Sequence, residues 1–73
     1  MQEPTGELLL ESAPAGAEAY VDGQLRGVTP LSLRLATGLH EVRVGSTRLE
    51  RWRAVSVTIA QGRREERRID LTE

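Results

Sequence analysis

Seventy-three residues permit a single domain, and a core of that size seldom supplies more than ~3–5 kcal/mol of net stability. With no Cys and one His, neither a disulfide staple nor a Cys- or His-rich metal site can be built, and a net charge of −1 is too near neutral to imply a polyanionic partner. No apolar run approaches the ~18 residues that would cross a bilayer, and the start does not read as a secretory leader. The lack of Cys is compatible with cytoplasm, periplasm or cell surface.

In chain order, residues 1–5 are short and polar, and are expected to be a disordered or linker start. Gly6 to Ser12 reads as a strand with Leu8 and Leu10 on one face and Leu9 on the other. Ala13-Pro14-Ala15-Gly16 is a turn. Ala17, Ala19 and Val21 recur at period two, giving a second strand from Ala17 to Asp22. Asp22-Gly23 is a hairpin signal, because Gly accepts the positive φ of the primed turns. Leu25 to Val28 is its return, with Gly27 as a second such position. Thr29 precedes Pro30 and is therefore biased to extended geometry.

Leu31-Ser32-Leu33-Arg34-Leu35 alternates strictly and is the clearest strand. Leu31, Leu35 and Leu39 also fall at helical spacing, but Thr29-Pro30 before them and Gly38 among them argue against a helix. Ala36-Thr37-Gly38 turns the chain. His40, Val42 and Val44 then share one strand face, and Gly45-Ser46-Thr47 is expected to break that strand. Val55, Val57 and Ile59 mark a strand from Trp52 to Ala60. Gln61-Gly62 turns again, Arg63 to Leu71 is the last strand, and residues 72–73 are a tail. Six or seven strands with turn signals about every 8–12 residues predict an all-β chain. The expected fold is one small antiparallel β-sandwich over residues 6–71. Its expected core is Leu8, Leu10, Ala17, Ala19, Val21, Leu31, Leu33, Leu35, Val42, Val44, Val55, Val57, Ile59, Ile69 and Leu71.

Four pieces of the chain resemble the PEGA domain family in order and spacing. They are Pro14-Ala15-Gly16-Ala17, with Ala15 where the name-giving motif has Glu; Tyr20-Val21-Asp22-Gly23; Gly27-Val28-Thr29-Pro30; and Gly38-Leu39-His40 before Val42-Arg43-Val44. The resemblance implies a transthyretin- or immunoglobulin-like sandwich. It implies an accessory module of a larger bacterial or archaeal protein, often of the cell envelope or surface layer. No general enzymatic activity and no cofactor accompany such a family, so no catalytic residue is carried over. The matched positions Pro14, Gly16, Ala17, Asp22, Gly23, Gly27, Thr29, Pro30 and Gly38 are structural by this resemblance.

The titratable residues offer little chemistry. His40 has no second His or Cys to join it as a metal ligand, and no nucleophile–base–orienter arrangement is legible around it. It is expected at the end of a core face, its ring bonded to backbone. Asp22 stands alone before Gly23 and is read as a turn residue rather than a calcium ligand. Glu65 and Glu66 are strand neighbours and diverge.

Arg51, Trp52, Arg53 and Tyr20 are the candidate partner-contact residues. Arginines beside an aromatic can bind single-stranded nucleic acid, but the charge balance disfavours it. The favoured reading has Trp52 capping an open end of the core, with neighbouring guanidinium groups stacked on it. The expected function is a non-catalytic structural or interaction module contacting a protein partner or neighbouring domain. The competing reading is a carbohydrate-binding sandwich that uses Tyr20 and Trp52, with cell-wall carbohydrate as ligand. A monomer is expected in dilute solution, with Arg63 to Leu71 as the exposed edge.

Overall fold

The computed structural model describes residues 4–72. Alternating apolar and polar residues fold into seven strands: β1 (Thr5–Ala13), β2 (Glu18–Val21), β3 (Gln24–Val28), β4 (Leu31–Ala36), β5 (Gly38–Ser46), β6 (Arg51–Ile59) and β7 (Arg64–Asp70). They form a three-stranded sheet, β4-β1-β7, and a four-stranded sheet, β3-β2-β5-β6. The sheets pack as a sandwich, as the alternation predicts. The described residues contain no helix that could cross a membrane.

All ladders are antiparallel except one. β7 runs parallel to β1, with Glu7 opposite Arg64 and Ala13 opposite Asp70. A parallel pair needs a long crossover, and here the whole four-stranded sheet intervenes between β1 and β7. No local signal announces that direction.

The expected core is buried throughout except at Leu31 and Val55, which pack against it half-buried. Leu8, Leu10, Val42, Val44, Val57 and Leu71 are wholly excluded from water. Thr29 joins them, although it is polar. Its Oγ1 accepts a hydrogen bond from the Ala17 amide at 3.0 Å and meets Ser12 Oγ at 2.5 Å. Its amide donates to the Ala17 carbonyl, and its carbonyl accepts from the Gly16 amide, both at 2.8 Å. The Pro14 turn and the Thr29-Pro30 step are thereby tied together, and the burial cost of the hydroxyl is met by partners.

Several boundaries differ from expectation. Ala13 belongs to β1 and Gly38 to β5 instead of to turns. β2 and β7 are each shorter by a residue at each end, and β6 is displaced by one residue to Arg51–Ile59. β1 begins at Thr5, opposite Ala36, so the linker expected over residues 1–5 is already strand at its last position; residues 1–3 lie outside the described residues. Of the expected tail, Thr72 donates its amide to Asp70 Oδ1 at 2.8 Å, and residue 73 lies outside the described residues. Gly45 and Ser46 continue β5 instead of ending it, and the chain turns over residues 47–50. The reason is Trp52, described below.

The β2–β3 hairpin has φ of 51° at Asp22 and 83° at Gly23, the pair of positive values of a type I′ turn. A Cβ at Gly23 would meet nothing within 4 Å. Gly23→Val therefore tests backbone strain alone. It is expected to destabilise by more than about 1 kcal/mol, measured by urea unfolding. Parent-like stability would contradict the turn.

Candidate functional site

The four-stranded sheet turns Val42 and Val44 to the core, so Arg43 and Gly45 face outward. Tyr20 of β2 lies opposite Arg43, and Arg43 opposite Ala54 of β6. Leu25 of β3 lies opposite Tyr20. Trp52 lies opposite Gly45, on the same outer face. Its indole covers that glycine so closely that a methyl group on Gly45 would overlap indole Cδ2 and Cε3. Gly45 is thus a platform for the ring, which is why a residue expected to break the strand remains inside it.

The platform lets Trp52 lean towards Tyr20. Their ring centroids are 5.7 Å apart at an interplanar angle of 54°, within the range of favourable aromatic pairs. The Arg43 guanidinium carbon stands 5.8 Å from the indole centroid, a cation–π distance. Tyr20, Gly23, Arg43 and Trp52 line an open depression of about 280 Å³. The arrangement offers two ring faces, one cation and an exposed leucine, Leu25. It can stack against an apolar or planar group and bond to an anion or carbonyl.

Sequence neighbours do not all join this site. Trp52 lies on the outer face of the sheet instead of capping the core, and Arg51 and Arg53 do not share that face. Strand alternation sends both arginines to the opposite face of β6. The cation that does meet the indole, Arg43, comes from β5 and was not singled out. Only the ladder between β5 and β6 brings it there. Tyr20 and Trp52, by contrast, do lie together.

A second cluster forms at the Asp22 turn. Asp22 Oδ1 accepts from the Glu41 amide at 3.0 Å, and the Asp22 amide donates to the Glu41 carbonyl at 2.8 Å. Asp22 Oδ2 lies 2.6 Å from His40 Nδ1, and His40 Nε2 lies 2.7 Å from the Ala36 carbonyl. The backbone bond matches expectation; the Asp22 partner was missed, because it lies eighteen positions away and only the β2–β5 ladder makes them neighbours. A carbonyl only accepts, so Nε2 must donate, and the carboxylate accepts from Nδ1. Two acceptors facing the two ring nitrogens favour the doubly protonated imidazolium form. The hydrogen bond to Asp22 is the main cause raising the His40 pKa, followed by that to Ala36. Asp22 is lowered chiefly by the Glu41 amide, then by His40.

The remaining carboxylates make separate contacts. Glu65 pairs with Arg67 at 2.9 Å, while Glu66, on the other face, stands 4.0 Å from Arg64. Asp70 is lowered by its hydrogen bonds to Thr72. Among the described residues, no three His, Cys, Asp or Glu side chains are grouped to hold a metal.

Two measurements check these clusters. His40, raised in the folded state, stabilises fully below its ordinary value of 6.5 and loses that contribution as pH rises through the folded value. Asp22, lowered, stabilises above its ordinary value of 3.8 and loses that as pH falls through the folded value. Stability should therefore decline above pH 6.5 in the parent and become flatter there in His40→Ala; identical profiles would contradict the ion pair. Separately, Gly45→Ala should displace Trp52, the one tryptophan, and shift its fluorescence to the red. An unchanged spectrum would contradict the platform.

A search of curated proteins returns no match. A scan against protein families matches the PEGA domain over residues 5–72, spanning all seven strands. The turn at Asp22-Gly23, the buried Thr29 and the His40 contact are the structural counterparts of the motif pieces in the sequence, and this chain belongs to the PEGA domain family.

Proposed function

We propose that this chain is a non-catalytic accessory module that makes protein contacts within a larger protein of the cell envelope or surface layer. Domains of this family are small accessory units of larger proteins. The observation that carries the reading is the state of His40. Both ring nitrogens of the one histidine are committed, to Asp22 and to Ala36. An imidazole so engaged has no free nitrogen to relay a proton. The Tyr20–Arg43–Trp52 face is the contact surface, with Arg43 in the place expected for Arg51 and Arg53. Aromatic and arginine side chains are the types that dominate protein interfaces.

The shared face of Tyr20 and Trp52 also supports the second reading, a carbohydrate ligand. Against it, the rings lean on one another instead of forming opposed walls, and the depression of about 280 Å³ falls just below the range for ligand sites, roughly 300–1,000 Å³.

Capture from cell-envelope extract is the test. The parent should retain a protein, Trp52→Ala should lose it, and His40→Ala should keep it. Retention that ignores Trp52 would remove the contact face from the proposal. Quenching of Trp52 by soluble cell-wall glycan, with no protein captured, would favour the second reading, and capture of nucleic acid alone would overturn both. Turnover of a hydrolase substrate that disappears in His40→Ala would overturn the non-catalytic assignment.

A further inference from the structure

We propose that β7 is a self-recognition strand: two copies of this chain pair antiparallel along their β7 edges, about a two-fold axis at Arg67, joining their three-stranded sheets into one. This is independent of the Tyr20–Trp52 face.

β7 ends the order β4-β1-β7, so one side of it is taken by β1 and the other is an edge. In a parallel ladder, alternate residues turn both backbone groups to the same neighbour. The Glu7 amide donates to the Arg63 carbonyl, and the Leu71 amide donates to the Ala13 carbonyl, each at 2.9 Å. The odd-numbered residues of β7 therefore serve β1. The backbone groups of Arg64, Glu66, Arg68 and Asp70 point away from it. Those four side chains are also the exposed ones, while Glu65 and Arg67 are half-buried and Ile69 is buried.

The four exposed charges run plus, minus, plus, minus. An antiparallel partner can oppose only residues whose backbone groups point across the gap, so even-numbered residues must face even-numbered ones. An axis on Glu66 would put Arg64 against Arg68 and Glu66 against its own copy. An axis on Arg68 would put Glu66 against Asp70. The axis on Arg67 puts Arg64 against Asp70 and Glu66 against Arg68, each twice. Axes on Glu65 or Ile69 keep only one complementary pair, Arg64 with Glu66 or Arg68 with Asp70, each twice. Opposite charges directly across a ladder stabilise it and like charges destabilise it, so the Arg67 register, which alone engages all four charges of both strands, is favoured. The Arg67 side chains meet near the axis on the inner face, but each is already engaged by its own Glu65 at 2.9 Å.

An edge guarded against association would carry one sign of charge. This one is self-complementary. The other edges lack such a pattern: β3 carries only Arg26, and its ladder to β2 shifts register after Ala19; β4 carries only Arg34; β6 carries Arg51 and Arg53 at one end. A single strand pair is a small interface, in the weak class below about 1,200 Å². The chain is therefore expected to remain monomeric at micromolar concentration and to associate as it approaches about 1 mM.

Sedimentation velocity on the 73-residue chain, from about 10 µM to about 1 mM at low salt, reads the association. Glu66→Arg and Arg68→Glu each place like charges opposite one another twice, and each should weaken it about tenfold or more. An equimolar mixture of the two variants should recover it, because the changed positions then meet with opposite charge. In the parent, amide exchange at Arg64, Glu66, Arg68 and Asp70 should slow with concentration, which needs no variant. A parent monomeric at the top of the range, variants that associate as the parent does, a mixture that stays monomeric, or slowed exchange confined to β3, β4 or β6 would each overturn the proposal.

Discussion

Two sheets in this molecule share one thin layer of aliphatic side chains, and that constraint governs everything else. Leu8 and Leu10 of β1 share one buried cluster with Val42, Val44, Val57 and Ile59 of the other sheet and with Leu71. Each strand can contribute only every second residue to that layer. With so few residues, nearly every apolar side chain is consumed in filling it. Little is left to line an interior pocket, and recognition is displaced to the outer faces and the edges. The exposed apolar residues that remain, among them Leu25, Leu39 and Trp52, are all outside the core.

The Asp22 turn shows how one residue can answer several demands. Its backbone takes the left-handed conformation that a type I′ turn requires. Its carboxylate accepts from the Glu41 amide and the His40 ring, binding the hairpin to β5. His40 extends the connection to Ala36, at the end of β4. Strands of both sheets are thus joined at one end of the sandwich by a single charged relay. Thr29 does the corresponding work further along, joining β1 and the approach to β2 through Ser12 and Ala17.

Substitution of a strand position by glycine ordinarily weakens a strand. At Gly45 the loss of a side chain is what allows an aromatic to lie flat on the sheet. Trp52, Tyr20 and Arg43 then cover each other, so the outer face carries an ordered aromatic patch at no cost to the core. On the opposite sheet the exposed charges of β7 alternate in sign, and β1 answers them with Glu7 opposite Arg64 and Glu11 opposite Arg68. The same alternation that satisfies β1 on one side leaves a complementary row on the other.

Composition and period-two spacing by themselves determined the all-β class, a count of six or seven strands, the Asp22-Gly23 hairpin and almost the entire core. Those properties depend on local backbone preference and on which face of a strand is apolar, and both are written in adjacent residues. Order of the motif pieces determined the family. Pairing between distant strands decided the rest. That β7 runs parallel to β1, that Arg43 rather than Arg51 or Arg53 meets Trp52, that Asp22 holds His40, and that Gly45 is a platform and not a break all depend on register between segments far apart in the chain. A one-residue shift in any of those ladders would send each side chain to the other face, and nothing in the local sequence specifies which partner a strand will find.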